Sequence, residues 1–183
     1  MLWIFPVNKI RDFYRINIIK SVTSSISRGA TMKILIIDDD KVDRCSLKRD
    51  LKNTHLVSKI VEAETGHAGI DRFREESFDC VLLDYYLPDK EGVEVLQELI
   101  NIGGEFITII AITGTASETM PERMIGAGAS DYLIKDEIDT RMLERVLRPV
   151  QKQIKLKEKF EKEISKLTKK LEEYNNIDYK SAC

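Results

Sequence analysis

The sequence predicts an α/β chain built on a doubly wound, five-stranded parallel sheet, with a helical or coiled-coil extension at its C-terminal end. Three observations lead there. Short apolar runs alternate with amphipathic segments from Lys33 onward, the pattern of βα units. Several runs are apolar at nearly every position, as strands covered on both faces must be. Charged and hydroxyl residues follow the runs directly, at the carboxyl strand ends where such sheets bind ligands.

The runs, in order, are "KILII" (33–37), "KIVEA" (59–63), "DCVLL" (79–83), "ITIIAI" (107–112) and "DYLI" (131–134). Helices are expected between them at 41–53, 66–76, 91–102 and 117–126, with a fifth starting near Asp139. Asp40 suits the N-cap of the first, and Asp43 stands at its third helical position, where a carboxylate favours the helix dipole. The loop "YYLPDKEG" after the third run carries the Pro and Gly of a turn.

Beyond Pro149, which is expected to kink or restart the helix, "EKFEKEISKLTKKLEEY" spaces Phe160, Ile164, Leu167, Leu171 and Tyr174 by 4, 3, 4 and 3. That is a heptad seam of about two heptads. Lys157 and Gln153 interrupt it upstream, while Val150 and Ile154 still share one face. The segment reads as a dimerising or linking continuation of the fifth helix, or as an amphipathic helix folded back on the domain. Three parts follow: an N-terminal extension (1–31), a domain (32–148) and a C-terminal tail (149–183).

The extension, "MLWIFPVNKIRDFYRINIIKSVTSSISRG", has apolar residues before its charges, the reverse of a secretory signal. It reads as a disordered segment, from a start placed upstream of Met32; its basic, acid-poor and aromatic character suits an organelle-targeting, surface-binding or docking segment instead. The net charge of −2 conceals a segregation. Residues 32–149 hold 15 Lys/Arg against 24 Asp/Glu, and residues 150–183 nine against six. The acidic domain argues against direct nucleic-acid binding. No apolar stretch approaches the roughly 20 residues a membrane span needs. The three cysteines, Cys45, Cys80 and Cys183, lack metal-type spacing and read as reduced thiols of a cytoplasmic protein.

The chemistry concentrates at the strand ends. "IDDD" follows the first apolar run with three carboxylates, although like charges about 4 Å apart repel by roughly 1 kcal/mol in water and about 4 at an effective dielectric near 20. A cation would offset that cost. Asp84 ends the third run, so Asp38, Asp39 and Asp84 are expected to meet and to suit Mg²⁺, which takes oxygen ligands and completes its shell with water or phosphate. Thr113 and Lys135 end the fourth and fifth runs. Together these groups suffice for phosphoryl transfer to a carboxylate. Asp84, ionised at neutral pH with an oxygen left free, acts as nucleophile without a base, while the metal, Lys135 and the Thr113 hydroxyl stabilise the transferring oxygens. Each residue alone has a plain structural explanation: a cap, an acidic turn, a strand threonine, a surface lysine, a packed Tyr132. Their order and common placement give the site.

The motifs "ILIIDDD", "VLLDYYLPDKEGVEVL", "IIAITGTAS" and "GASDYLIKDEI" resemble the receiver domain of two-component response regulators, over residues 32–148. The resemblance implies a flavodoxin-like fold in which Asp84 accepts phosphate from a sensor histidine kinase or phosphotransfer protein. It implies Mg²⁺ held by Asp39 and Asp84, by the Tyr86 backbone carbonyl and through water by Asp38. Thr113 and Lys135 then take the family's hydroxyl and lysine positions, and Tyr132 that of its switch aromatic. Phosphorylation is expected to draw Thr113 in, let Tyr132 rotate and reshape the face around the fourth helix and fifth strand. No output motif follows in the last 35 residues, so the chain is expected to be a stand-alone receiver or the first part of a longer regulator or hybrid kinase. A homodimer through the C-terminal helix is the further partner the seam suggests.

Other classes fit less well. An aspartyl-phosphate hydrolase commonly carries a second Asp two residues after its nucleophile, where this chain has Tyr86, and there is no room for a capping domain. A pseudo-receiver scaffold would not need the intact acidic set. "GAGAS" (126–130) precedes a strand, whereas a dinucleotide fingerprint follows one. Two departures from the family pattern stand out. Asp136 replaces the usual proline after Lys135, predicting a different loop path, and Tyr86 puts a bulky ring beside the acceptor. The ring is expected to hinder attacking water. Tyr86→Asn should therefore shorten the lifetime of the acyl phosphate, followed by loss of bound phosphate over time; an unchanged or longer lifetime would refute the screening role.

Overall fold

The computed structural model describes residues 31–104, 107–114 and 119–181. The N-terminal extension up to residue 30 and the start of the fourth expected helix lie outside the described residues. The elements run β1 (Met32–Ile37), α1 (Lys41–Asn53), β2 (Val57–Ala63), α2 (Gly66–Glu75), β3 (Cys80–Asp84), α3 (Gly92–Gly103), β4 (Thr108–Thr113), α4 (Thr119–Gly126), β5 (Asp131–Ile134) and α5 (Thr140–Ser181). A 3₁₀ turn, Lys135–Glu137, separates β5 from α5.

All strand pairs are parallel and the order is β2-β1-β3-β4-β5. This is the doubly wound, flavodoxin-like arrangement, in which the chain reverses its direction of growth between β1 and β3. The three central strands are buried along almost their whole length, whereas β2 and β5 at the edges alternate with exposed positions such as Ser58, Lys59 and Tyr132. Strand β3 ends on Asp84, the position expected from sequence. Asp84 pairs with Ile112, and the Tyr85 N–H donates to the Ile112 carbonyl at 2.9 Å, so the acid is the last rung of the ladder.

One core layer gathers Leu35, Ile37, Val81, Leu83, Ile109 and Ala111 from the sheet with Ile70, Val95, Leu96, Leu99 and Met124 from α2, α3 and α4. Side chains alternate along strands, so Ile34, Ile36, Leu82, Ile110 and Ile112 belong to the opposite face. They are buried too, as are Leu47 and Leu51 of α1 and Leu143, Leu147 and Val150 of α5. In α1 and α5 these positions fall three, four or seven apart, the stripe an amphipathic helix turns inward.

Residues Ala30–Gln153 form one compact unit, and the segment from Ile154 belongs to a second. The α5 helix continues through Pro149 without interruption. In the second unit Leu156, Phe160, Ile164 and Leu167 are each more than half exposed. The seam positions Leu171 and Tyr174 have side chains outside the described residues. No described helix is long and apolar enough to cross a membrane.

The loop after β3 is tied to the start of α2 by Asp89. Its carboxylate accepts from the Gly66 and His67 N–H groups at 2.8 and 2.9 Å and contacts His67 Nδ1 at 2.5 Å. These are N–H groups that a helix start leaves without partners. Burial pushes the Asp89 carboxyl up, but those donors outweigh it and bring it down to about 2. A depressed carboxyl stabilises the fold above its unfolded value, 3.8, and that stabilisation is lost as pH falls through about 2. Asp89→Asn should cost about 1 kcal/mol at neutral pH, the scale of a lost helix cap. Thermal melts from pH 7 down to 2 should show the difference closing with acid; an unchanged melting temperature at pH 7 would contradict the tether.

Candidate functional site

Parallel register explains why the acids meet. Ile37 pairs with Leu83, so the next residues, Asp38 and Asp84, emerge level at neighbouring strand ends. Carboxylate oxygens of Asp38, Asp39 and Asp84 lie within 4.8 Å of one another, with Asp38 and Asp84 buried and Asp39 exposed. The chain then turns sharply into α1. The Asp40 N–H donates to Asp38 Oδ1 at 2.8 Å, while Asp40 itself caps α1 by accepting from the Val42 and Asp43 N–H groups. One triple-acid run thus supplies two of the clustered acids and a helix cap.

Lys135, first residue after β5, reaches across the strand ends. Its Nζ lies 2.7 Å from Asp84 Oδ2, 2.9 Å from Asp38 Oδ2 and 2.8 Å from Asp43 Oδ2. Burial alone would lower the lysine; the carboxylates of Asp38, Asp43 and Asp84 outweigh it and raise it well above its ordinary value. For Asp84 the balance falls the other way. Burial raises its carboxyl, and the Lys135 ammonium and the Tyr86 N–H offset this only in part.

Asp84 differs from the sequence expectation in one respect. Oδ1 of Asp84 takes the Tyr86 N–H at 3.2 Å and Oδ2 takes Lys135, so neither oxygen is free of a donor, and the side chain is only 5% exposed. Each carboxylate oxygen retains a second lone pair. The loop that provides the Tyr86 N–H is held by Gly92, whose N–H donates to the Tyr85 carbonyl at 2.9 Å. A Cβ on Gly92 would stand 2.7 Å from the Asp84 carbonyl oxygen, too close for any larger residue without moving the loop after β3.

The remaining expected residues lie on β4, on β5 and in the loop after β3. Thr113 ends β4, is buried, and donates its Oγ1 to Met120 Sδ at 3.6 Å. Tyr132 on β5 is 40% exposed. Tyr86 is 57% exposed, its ring edge-on to Tyr85 with centroids 4.9 Å apart. After Lys135 the chain enters its 3₁₀ turn with trans peptides, as no cis bond occurs among the described residues.

Two residues were not singled out for the site from sequence. Asp43 joins Lys135. Arg44 is buried, donates from Nη1 to the Asp38 carbonyl at 2.7 Å and from Nη2 to Glu64 at 2.5 Å, and so braces the turn that carries the acids. The available signal was its place in the apolar stripe of α1 with Leu47 and Leu51.

The donor set suits a hard divalent cation. Three carboxylates converge, and the buried Asp38 Oδ2 has no aligned hydrogen bond even though Lys135 pairs with it ionically. A buried carboxylate oxygen with spare capacity is unusual unless another ligand uses it.

Comparison with known proteins agrees with this geometry. Residues 34–147 match the response regulator receiver domain. The chemotaxis protein CheY of Bacillus subtilis is 30% identical over 114 residues, which cover 62% of this chain and 93% of that protein. The signal transduction histidine-protein kinase BarA of Escherichia coli is 27% identical over 118 residues, covering 64% of this chain. The matched part spans only 13% of that kinase. The crystal structure of a CheY-like response regulator receiver domain protein from Methanospirillum hungatei is 28% identical, with a TM-score of 0.61, covering 69% of this chain and 98% of that one. The level strand ends, the converging acids and the lysine reaching over them are thus set in a chain that belongs to the response regulator receiver domain family.

Proposed function

We propose that the chain is a phosphoacceptor module of a two-component pathway, in which Asp84 takes a phosphoryl group from the phosphohistidine of a sensor kinase or phosphotransfer protein. The observation that carries the reading is the Lys135 ammonium, 2.7 Å from an Asp84 oxygen at the mouth of the acid cluster. Asp84 Oδ forms the bond to phosphorus while the phosphorus–nitrogen bond of the donor breaks and its electron pair stays with the imidazole. Lys135 passes from the carboxylate to a phosphoryl oxygen, and the Thr113 hydroxyl turns from Met120 toward another. Mg²⁺, held by Asp39 and Asp84, the Tyr86 carbonyl and indirectly Asp38, would supply charge neutralisation on the phosphoryl oxygens. The chain's own chemistry ends with gain and loss of this group, so it acts as a signalling switch and turns over no separate substrate.

The switch follows from charge and space. A phosphoryl group adds roughly −1.5 to −2 charges at the strand ends. Movement of Thr113 toward it vacates room that the half-exposed Tyr132 ring can fill, changing the α4–β5 face. A scaffold that never accepts phosphate leaves the lysine and its acids without a task. A histidine-kinase donor is in keeping with a cytoplasmic location. The exposed Phe160, Ile164 and Leu167 side chains support pairing of two copies through the C-terminal helix.

Incubation with acetyl phosphate and Mg²⁺ should add one phosphoryl group and change the size distribution or partner binding. Asp84→Asn should abolish that response; a mutant that still responds would overturn the assignment. Asp84→Asn should also raise the melting temperature by a few degrees near neutral pH without metal. The raised carboxyl means that the folded chain holds its proton longer than the unfolded one above 3.8, so stability falls as pH rises through that window. The variant lacks this fall, and its advantage should disappear in acid. A lower melting temperature at neutral pH would show that the carboxylate stabilises the fold instead. Separately, Ile164→Asp should reduce any dimer seen by sedimentation at matched concentration; an unaltered dimer would rule out the helix seam.

A further inference from the structure

We propose that Asp43 is a positioning residue for phosphoryl transfer, holding the Lys135 ammonium over the acceptor while the lysine's other carboxylates turn to different partners. This role rests on the phosphoacceptor reading of Asp84.

The ammonium has three N–H donors and faces three carboxylate oxygens, on Asp38, Asp43 and Asp84. Their fates during the reaction differ. Asp84 becomes the nucleophile and surrenders its lysine contact to a phosphoryl oxygen. Asp38 belongs to the converging acid set, and its Oδ2, held by the lysine through the ion pair alone, is an oxygen a cation would claim. Asp43 belongs to neither group. It stands on the first turn of α1, its own N–H held by the Asp40 cap at 3.3 Å, so its carboxylate is presented from a fixed helix end. It is therefore the one of the three that can keep the lysine in place throughout.

A lysine needs such an anchor. Its four-carbon stem is flexible, and an ammonium without a fixed partner loses orientation that must be recovered in each transfer. Without Asp43 the ammonium would also lean more fully on the nucleophile it must leave. A second effect has the opposite sign. Asp43 brings a negative charge close to an incoming phosphate dianion, so it weakens donor binding. Asp43 should thus raise the maximal rate and also raise the donor concentration needed to reach it. A residue that merely stabilised α1 would not produce this pairing.

The test uses the full chain with acetyl phosphate as donor. The Asp84 oxygen bonds to phosphorus, the phosphorus–oxygen bond to acetate breaks, and acetate leaves with the electron pair, with no proton transferred. Rates with saturating Mg²⁺ are measured for the unaltered chain, Asp43→Asn, Asp43→Ala and Asp43→Glu. The maximal rate should fall about tenfold in the Asn and Ala variants, the scale of a lost charge-assisted contact. Half-saturation by acetyl phosphate should fall about twofold by relief of repulsion. Asp43→Glu should recover most of the rate. In metal-free samples the proton–nitrogen resonance of the Lys135 ammonium should be protected in the unaltered chain and lost in Asp43→Asn. Unchanged maximal rates together with an unchanged Lys135 resonance would overturn the role. So would a fall in rate that Asp43→Glu does not recover and that tracks loss of helix by circular dichroism. Failure of the unaltered chain to accept phosphate would overturn the reading of Asp84 and this role with it, whereas normal phosphorylation in all four chains would overturn this role alone.

Discussion

One partly buried ammonium binds the functional end of this molecule together. Lys135 pairs with acids from the β1 turn, from α1 and from β3, and thereby joins four elements at a point where their charges would otherwise repel. Two of those acids are buried, and a buried carboxylate with its cation removed is strongly destabilising. The same constraint makes the site responsive. Any group that adds negative charge or brings another cation must redistribute the three lysine contacts, and the elements they tie will feel it.

The sheet makes this convergence possible. Parallel strands put all their carboxyl ends on one rim, and the reversal between β1 and β3 opens a crevice there. The flush register of Ile37 with Leu83 brings Asp38 level with Asp84, and the ladder bond from Tyr85 to Ile112 carries Asp84 to the end of a rigid strand. Gly92 and Asp89 then secure the loop beyond it, one by allowing close backbone approach and the other by capping a neighbouring helix. Precision at Asp84 comes from strand and loop together, so distant changes in the loop should reach its carboxylate.

Most of this was readable from the chain. Apolar runs located all five strands, and β5 and α1 matched their expected limits residue for residue. Asp38, Asp39, Asp84, Thr113 and Lys135 could be selected because each ends an apolar run, a signal that depends only on local pattern. Asp43 escaped because its place in the first turn of a helix already had a sufficient explanation in the helix dipole. Arg44 escaped because long charged side chains are ordinarily solvated, whereas here the guanidinium turns inward to a carbonyl. The near-complete burial of Asp84 was out of reach as well. It depends on a lysine 51 residues away folding over it, and no local pattern carries that distance.

The central claim is that a covalent bond forms between phosphorus and this buried carboxylate. Reductive trapping with borohydride addresses it directly, since an aspartyl phosphate is reduced to homoserine while a free carboxylate is not. After treatment with acetyl phosphate and Mg²⁺, peptide sequencing by mass spectrometry should find the converted residue at Asp84 and at no other acid. Conversion at Asp38, Asp39 or Asp43, or no conversion with a stable intact fold, would contradict the account.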